Sequence, residues 1–278
     1  MQVYTRNSAL VHSMTYGEFS RTIQDCSPCP SVPNGGNDWT GDIGFNEAKR
    51  QCVAGSTALV ADAQRIIDSI PLEQLPQTNA YQWQGSVTGA YANVPDYLSG
   101  HPASMRQRIK TLRDTAPLRI YAGVSAHTKI KGRELQNHFN ALLAFSLLIE
   151  RTRPVELYVV QGSKDQRNGS DRYLVIKVDN RPLSLAQACF ALSVGCKRQL
   201  YFAYLHERMD VDAGIPRVKA NSDVTLPIIW GSEGLPSESE TPLYFPAVTP
   251  NAISSTSPVE WVTRMLKEYL TIGVCRAI

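Results

Sequence analysis

Two cysteines near the start of the chain have the spacing of a zinc knuckle. Cys26 and Cys29 form a C-x₂-C pair within a stretch rich in proline. A structural zinc site takes two more ligands, and the candidates nearby are Cys52, His12 and His101. Because the sequence has no second C-x₂-C pair, we interpret Cys26, Cys29 and Cys52 as ordinary cysteines, with zinc binding as the alternative.

Basic residues form a second set that could act on a ligand. We group them as the basic segment, which consists of Arg106, Arg108, Lys110, Arg113, Lys129, Lys131 and Arg133. Such residues can contact phosphates as one positive patch. Stacking of single-stranded bases also needs aromatic residues interleaved with the basic ones, and none lies between Arg106 and Arg113. We therefore interpret the basic segment as a solvated polar face, with nucleic-acid binding as the alternative.

The sequence lacks the motifs of several familiar enzyme classes. It has no G-x-x-x-x-G-K-[ST] loop, no G-x-S-x-G elbow, no H-E-x-x-H helix and no G-x-G-x-x-G turn. Asp210 and Asp212 have D-x-D spacing, but they lack the glycine turn of an EF-hand. These absences favour a protein that is not an enzyme and that needs no cofactor.

The composition is that of an ordinary globular chain. Hydrophobic residues make up 43% and charged residues 19% of the 278 residues, which is enough to build a sizeable core. The net charge of +3 gives no general attraction to nucleic acid. The longest apolar stretch, 141–149, is half as long as a membrane span needs, and the first residues lack the pattern of a signal peptide. Cysteines are too few for a disulfide framework, so we expect a soluble, cytoplasmic protein without a membrane partner.

The region from 117 to 206 reads as alternating strands and helices. Apolar, β-rich runs predict strands at LRIYAGVS, VELYVVQG, YLVIKVD and 200–205, with helices at 132–152 and 185–192. Strands joined through helices should be parallel, and the direct connection between the second and third strands adds one antiparallel strand at the edge. We therefore predict an α/β fold with a mostly parallel sheet and helices on both faces.

The flanking regions have a different character. Residues 207–278 contain loops, a predicted strand at TLPIIW and a final helix that begins at Pro258 and packs on the sheet. Residues 1–115 read as short helices and loops, with the strand-like run YQWQGSVTGAYA among them. We predict a largely helical N-terminal region at 1–115 that packs on a core domain at 116–278.

The predicted order β-α-β-β-α-β resembles the von Willebrand factor A fold. In that family, an Asp-x-Ser-x-Ser loop after the first strand, a Thr before the second helix and an Asp after the fourth strand hold a divalent metal ion. The first motif falls on 123–127 here, so the aspartate is missing and only Ser125 matches. The Thr position falls near Ser184, and the last Asp falls near His206 or Glu207. The resemblance therefore implies an A-type sheet with a degenerate metal site.

Loops at this edge of the sheet form the candidate binding site. In an open α/β sheet, ligands bind beyond the carboxyl ends of the strands. Mg²⁺ prefers several oxygen ligands including a carboxylate, which only Glu207 supplies, whereas the imidazoles of His127 and His206 suit Zn²⁺ or another transition metal. We predict a metal-free loop that binds a ligand or partner, with a divalent metal as the alternative. The predicted residues are Ser125, His127, Thr128, Ser184, His206 and Glu207.

Five sequence blocks resemble an uncharacterised family of bacteriophage-encoded proteins. They are WTGDIGFNEAKR, VPDYLSGHPASMR, APLRIYAGVSA, RTRPVELYVV and LAQACFALSVGCKRQLYFAYLHE, and they span roughly residues 38 to 208. The resemblance implies a viral origin and a location in the host cytoplasm or the virion. It implies no activity.

Together, these features predict a non-enzymatic module that binds another phage or host protein through its A-type sheet. The first alternative is nucleic-acid binding through the basic segment. The second alternative is a metal-dependent hydrolase at His127, His206 and Glu207.

Overall fold

The computed structural model describes residues 1–6, 9–71, 81–88, 91–110, 117–126, 130–151, 154–164, 171–178, 185–209, 242–245 and 257–275. The strands are β1 Gln2–Arg6, β2 Ala9–Thr15, β3 Tyr81–Ser86, β4 Tyr91–Ala92, β5 Met105–Lys110, β6 Leu118–Gly123, β7 Val155–Lys164, β8 Asp171–Val178 and β9 Leu243–Phe245. The α-helices are α1 Tyr16–Thr22, α2 Phe45–Ala54, α3 Thr57–Asp68, α4 Val94–Leu98, α5 Gly132–Glu150, α6 Leu185–Ala191, α7 Phe202–Arg208 and α8 Pro258–Cys275. No helix in these ranges is both long enough and apolar enough to cross a membrane.

Six of the strands form one mixed sheet in the order β1-β2-β8-β7-β6-β9. The pairs β2–β8, β7–β6 and β6–β9 are parallel, whereas β1–β2 and β8–β7 are antiparallel. The prediction of a mostly parallel sheet in an α/β fold is therefore confirmed. The prediction that the antiparallel partner of β7 lies at the edge is wrong, because β2 pairs with β8 and makes it an interior strand.

The N-terminal region contributes strands to both sheets. β2 pairs with β8 from Leu10↔Arg172 to Thr15↔Lys177, and β1 extends the sheet to its edge. A second sheet contains β3, β5 and β4, with β5 in the middle. The prediction of a largely helical N-terminal region is therefore wrong. Short strands such as β2, which carry apolar residues on both faces, show neither a helical period nor a clean alternation.

The two faces of the six-stranded sheet are covered differently. One face belongs to the larger core cluster, which also contains the buried apolar residues of α1, α2, α3, α5, α6, α7 and α8. The other face carries a smaller cluster whose described members all come from strands, namely Val11, Tyr121, Tyr158, Val160, Tyr173 and Val175. Within the described part of the chain, the helices therefore pack on one face rather than on both as predicted.

The longest helix, α5, lies in the middle of the larger cluster. Most of its 19 residues are buried, which is why its apolar residues form no narrow stripe. α8 packs against it through Trp261, whose ring centroid lies 5.4 Å from that of His138 and 6.3 Å from that of Phe145. The predictions of these two helices are confirmed.

Residues 200–205 form a helix rather than the predicted fourth strand. A π-helical turn, Cys196–Tyr201, leads directly into α7, and every residue from 196 to 205 is buried. A continuous apolar run of this length fits a buried strand or a buried helix equally well. The strand order that resembles the von Willebrand A fold is therefore not completed by these residues. The other predicted strand, TLPIIW, lies outside the described residues.

Side chains of the π-helical turn donate hydrogen bonds to the main chain of a loop. We call the segment from Pro33 to Ile43 the anchored loop. Gln199 Nε2 donates to the carbonyl oxygens of Pro33 at 3.1 Å and of Ile43 at 3.0 Å. Arg198 donates to the carbonyl oxygen of Trp39, and its guanidinium lies 4.6 Å from the centre of the Trp39 ring. Polar side chains that are buried in the core therefore fix the path of an exposed loop.

Candidate functional site

Of the predicted site residues in the loop after β6, the structure describes Ser125. Its Oγ accepts hydrogen bonds from the Gly162 backbone N–H at 2.9 Å and from Gln161 Nε2 at 3.2 Å. Ser125 is only 5% exposed, so it acts as a buried link between β6 and β7. Three predicted residues lie outside the described residues, and their role stays a prediction: His127, Thr128 and Ser184.

Two buried oxygen atoms beside Ser125 have no hydrogen-bond partner in the part of the chain that the structure describes. They are Gln161 Oε1 and Ser163 Oγ, on side chains that are 1% and 5% exposed. Buried polar groups nearly always have a protein or water partner, so these atoms mark a place for an ordered water or a ligand group. Sequence analysis missed both residues, although they interrupt the apolar alternation of β7 at Leu157 and Val159.

His206 and Glu207 lie in the last turn of α7 and do not follow a strand. Glu207 Oε2 accepts a hydrogen bond from the Ser27 backbone N–H at 3.1 Å, which ties α7 to the segment after α1. Among the described residues, no group of three or more His, Cys, Asp and Glu could hold a metal ion. Because His127 lies outside them, the divalent-metal site and the hydrolase stay predictions.

The three candidate zinc ligands are buried cysteines with separate partners. Cys26 Sγ donates to a carbonyl oxygen at the end of α1 at 3.6 Å, and Cys29 Sγ lies 3.2 Å from Ser31 Oγ. Burial and the neighbouring Glu207 raise the pKa of the Cys26 thiol to about 11. These contacts favour ordinary cysteines at Cys26, Cys29 and Cys52.

The first half of the basic segment forms β5, the middle strand of the three-stranded sheet. Arg106, Arg108 and Lys110 occupy alternate positions of β5. Alternate residues of a strand belong to the same face of a sheet. The three basic residues therefore share one face.

Aromatic residues from both neighbouring strands share this face. Directly paired residues of antiparallel strands belong to the same side of the sheet. The pairs are Tyr81↔Lys110 and Trp83↔Arg108 from β3, and Tyr91↔Arg106 from β4. We call these six positions the aromatic–basic face. Aromatic residues are absent along the chain from Arg106 to Arg113, and the register of the strands places aromatic positions beside the basic ones.

The opposite face of the same sheet carries no charged residue. Its positions in the register are Gln82, Gln84, Ser86, Ala92, Met105, Gln107 and Ile109. The two faces of the three-stranded sheet therefore differ in residue type. The basic and aromatic residues of its described strands all occupy positions of one face. The alternation Tyr-x-Trp in β3 and Arg-x-Arg-x-Lys in β5 is the sequence signal for this arrangement.

The second half of the basic segment belongs to a different element. Lys131 is the N-cap residue of α5, and Arg133 stands in the first turn of that helix. Arg113 and Lys129 lie outside the described residues. The described residues of the basic segment therefore belong to two different elements, β5 and the start of α5.

A cavity of about 740 Å³ opens where α3, α5 and the start of α8 meet the end of the anchored loop. Its lining residues are Asp38, Gly41, Asp42, Leu59, Asp62, Arg65, Ile66, Ser69, Gly132, Arg133, Gln136, Asn137, Asn140, Pro258 and Val259. Of these, sequence analysis singled out only Arg133 as a site residue. The rest were missed because they are spread over four elements that meet only in the folded chain.

One protein-family model matches residues 8–272 and is described as a domain of unknown function (DUF7192). The match runs from the strand β2 into the last helix, α8. No curated protein and no solved structure matches the chain. The family's description assigns no activity, so function has to be argued from the sites themselves.

Proposed function

This chain belongs to the family described as a domain of unknown function (DUF7192), and from that premise we propose that it binds single-stranded nucleic acid. The proposed binding surface is the aromatic–basic face of the three-stranded sheet. The observation that carries the proposal is the register of β3 and β4 on β5, which sets each basic residue of β5 beside an aromatic one.

The two residue types on this face have complementary roles. Aromatic rings stack on bases, and each stacked base contributes about 1–3 kcal/mol regardless of its identity. Basic side chains neutralise the phosphates between the bases. Alternate positions on a strand are about 7 Å apart, so Tyr81 and Trp83 offer two stacking positions along β3. Tyr91 offers a third on the other side of β5.

The proposed ligand is single-stranded because stacking requires unpaired bases. In a duplex the bases stack on one another and present only their edges in the grooves. The net charge of +3 is low, so binding depends on the local charge of Arg106, Arg108 and Lys110. Three phosphate contacts on a single strand predict that log K falls against log salt with a slope of about −2.

The test is fluorescence anisotropy with labelled dT and rU oligonucleotides of about 16 nucleotides, the upper end of common site sizes, and with a duplex of the same length. We expect both single strands to bind more tightly than the duplex, with the salt slope given above. Trp83→Ala should weaken binding at least tenfold, which corresponds to about 1.4 kcal/mol. Trp83→Phe should retain most of the affinity because it keeps a ring.

The matched control is Gln107→Ala, on the opposite face of β5 between two of the basic positions. It should leave the affinity unchanged. The proposal fails if no single strand binds at low salt. It also fails if Gln107→Ala and Trp83→Ala weaken binding equally, because the loss would then not come from the aromatic–basic face.

The other functional hypotheses stay predictions. Protein–protein binding at the strand-end loops depends largely on residues outside the described ranges, and the same holds for the hydrolase. A phage origin, a phage or host protein partner and a location in the host cytoplasm or virion likewise rest on the sequence resemblance alone. Affinity purification followed by mass spectrometry would test the partner directly.

A further inference from the structure

The cavity between α3, α5 and α8 has the size of a small-molecule site. Its volume of about 740 Å³ lies within the range of roughly 300–1,000 Å³ that ligand pockets occupy. One wall is apolar and consists of Leu59 and Ile66 from α3 and Val259 from α8. The remaining lining is polar. A ligand that fills this cavity therefore has one apolar face and several polar groups.

A chain of amide contacts orients a hydrogen-bond donor at the cavity. The Val194 backbone N–H donates to Gln136 Oε1 at 3.0 Å, which fixes the orientation of the Gln136 amide. Gln136 Nε2 then donates to Asn140 Oδ1 at 2.9 Å. The Oδ1 atom of Asn140 thereby has a donor, whereas its Nδ2 group has no acceptor among the described residues. Because Asn140 lines the cavity and its side chain is only 5% exposed, this amide N–H group is available to a ligand that enters the cavity.

Asp42 faces the same cavity in an unusual backbone conformation. Its φ is 59°, and the preceding Gly41 has a φ of 71°, so two consecutive residues are left-handed. For a non-glycine residue this conformation is unfavourable, although Asp and Asn tolerate it better than most. A hydrogen bond from the Asp42 N–H to the Asn37 carbonyl oxygen, at 2.8 Å, helps to hold it. The loop geometry thus keeps an exposed carboxylate at the cavity rim.

The charges of the lining are mixed in sign. Asp62 pairs with Arg65 on α3, and Asp38 lies near the guanidinium of Arg198. Asp42 and Arg133 bring one further charge of each sign. A strongly anionic ligand would meet the carboxylates, and a strongly cationic one would meet the guanidinium groups. The lining therefore suits a neutral ligand that both donates and accepts hydrogen bonds.

We infer that this cavity binds a neutral ring compound with neighbouring hydroxyl groups, either a monosaccharide or the ribose of a nucleoside. The ring lies on the apolar wall, its hydroxyl groups donate to Asp42, and one of its oxygens accepts from Asn140 Nδ2. This site is independent of the proposed nucleic-acid surface, since no residue of the aromatic–basic face lines the cavity.

The test is isothermal titration calorimetry with D-glucose, D-ribose, adenosine and inorganic phosphate as separate probes. We expect at least one neutral probe to bind with a Kd of about 1 mM or tighter. If adenosine binds more tightly than D-ribose, the ligand is a nucleoside. If D-glucose or D-ribose binds as well as adenosine or better, the ligand is a sugar.

Variants connect the binding to the two key residues. Asp42→Asn keeps a residue that tolerates a positive φ and removes the charge, and Asn140→Leu removes the amide donor. Each should weaken binding at least tenfold. Asp68→Asn on the exposed side of α3 is the control and should change nothing. The inference is overturned if no neutral probe binds at about 10 mM, if phosphate binds more tightly than every neutral probe, or if Asp42→Asn leaves affinity unchanged.

Discussion

Basic residues stand in two different settings in this chain, one beside the six-stranded sheet and one on the three-stranded sheet. In the first, Lys197 and Arg198 are each 1% exposed and lie within the larger core cluster. In the second, Arg106, Arg108 and Lys110 occupy alternate positions on one side of a small sheet whose other side is uncharged. The same residue types thus make internal contacts in one region and occupy alternate register positions of a small sheet in the other.

Burial governs the behaviour of the first pair of basic side chains. Burial and the neighbouring Arg198 lower the pKa of the Lys197 ammonium well below its usual range. Its Nζ lies 5.1 Å from the centre of the Phe202 ring. A cation in this setting affects the free energy of folding, whereas a cation on the three-stranded sheet is expected to affect binding. The following predictions separate these two effects.

The largest expected effect is on stability, from Arg198→Met. The guanidinium donates to the Trp39 carbonyl and, at 2.9 Å, to the Ile130 carbonyl. Removing it leaves buried acceptors without a donor, so we expect a loss of about 3 kcal/mol in the free energy of unfolding. Urea denaturation measures this loss. Arg264→Met, at an exposed position of α8, is the control and should cost less than about 0.5 kcal/mol. Equal losses in the two variants would contradict a structural role for Arg198.

A smaller loss of stability is expected at acidic pH, from protonation of His138. Burial between α5 and α8 lowers the pKa of this imidazole from 6.5 to about 4. Because the folded-state pKa lies below the unfolded one, stability is complete above pH 6.5 and is lost as the pH falls toward 4. The loss is on the order of 2 kcal/mol. His138→Gln should remove this part of the pH dependence in urea titrations between pH 6.5 and 4.5. A variant as acid-sensitive as the original chain would show that the loss arises elsewhere.

The smallest effect on stability is expected from Arg108→Gln on the three-stranded sheet. This change should leave the free energy of unfolding within about 0.5 kcal/mol of the original value. It should instead reduce the salt slope of single-strand binding by about 0.7, the share of one phosphate contact. The anisotropy titrations described above measure this slope. A large loss of stability with an unchanged salt slope would show that Arg108, like Arg198, has a structural role.

Much of the six-stranded sheet and its longest helices can be predicted from the sequence. β6, β7 and β8 are apolar, β-rich runs between polar turns, α5 is an apolar run too long for a strand, and α8 has helical periodicity, so local pattern is sufficient for them. The segment 200–205 was misassigned because an unbroken apolar run does not distinguish a buried strand from a buried helix. β2 was missed because its pairing with β8, a strand more than 150 residues away, leaves no local signal, and β1 in turn pairs with β2.

The candidate sites were harder to predict because each depends on contacts between distant segments. β3 and β5 each show alternation, but only their register decides whether Trp83 shares a face with Arg108 or with Gln107. A slip of one residue would exchange the two faces. Likewise, nothing in the local sequence around Asn140 indicates that Gln136 and Val194 will orient its amide.

The anchored loop has a consequence for how this protein can diverge and be engineered. Arg198 and Gln199 donate hydrogen bonds to backbone carbonyl oxygens of the loop, at Pro33, Trp39 and Ile43. Every amino acid has this carbonyl group. The side chains of Asn37 and Thr40 also hold the loop, through reciprocal hydrogen bonds, so we expect exchange without loss of its path at exposed positions such as Asn34. Glycine is required at Gly36, where a Cβ atom would lie 2.5 Å from a backbone oxygen. Exchanges at exposed positions can thus remodel the rim of the cavity while the interior that holds the rim stays the same.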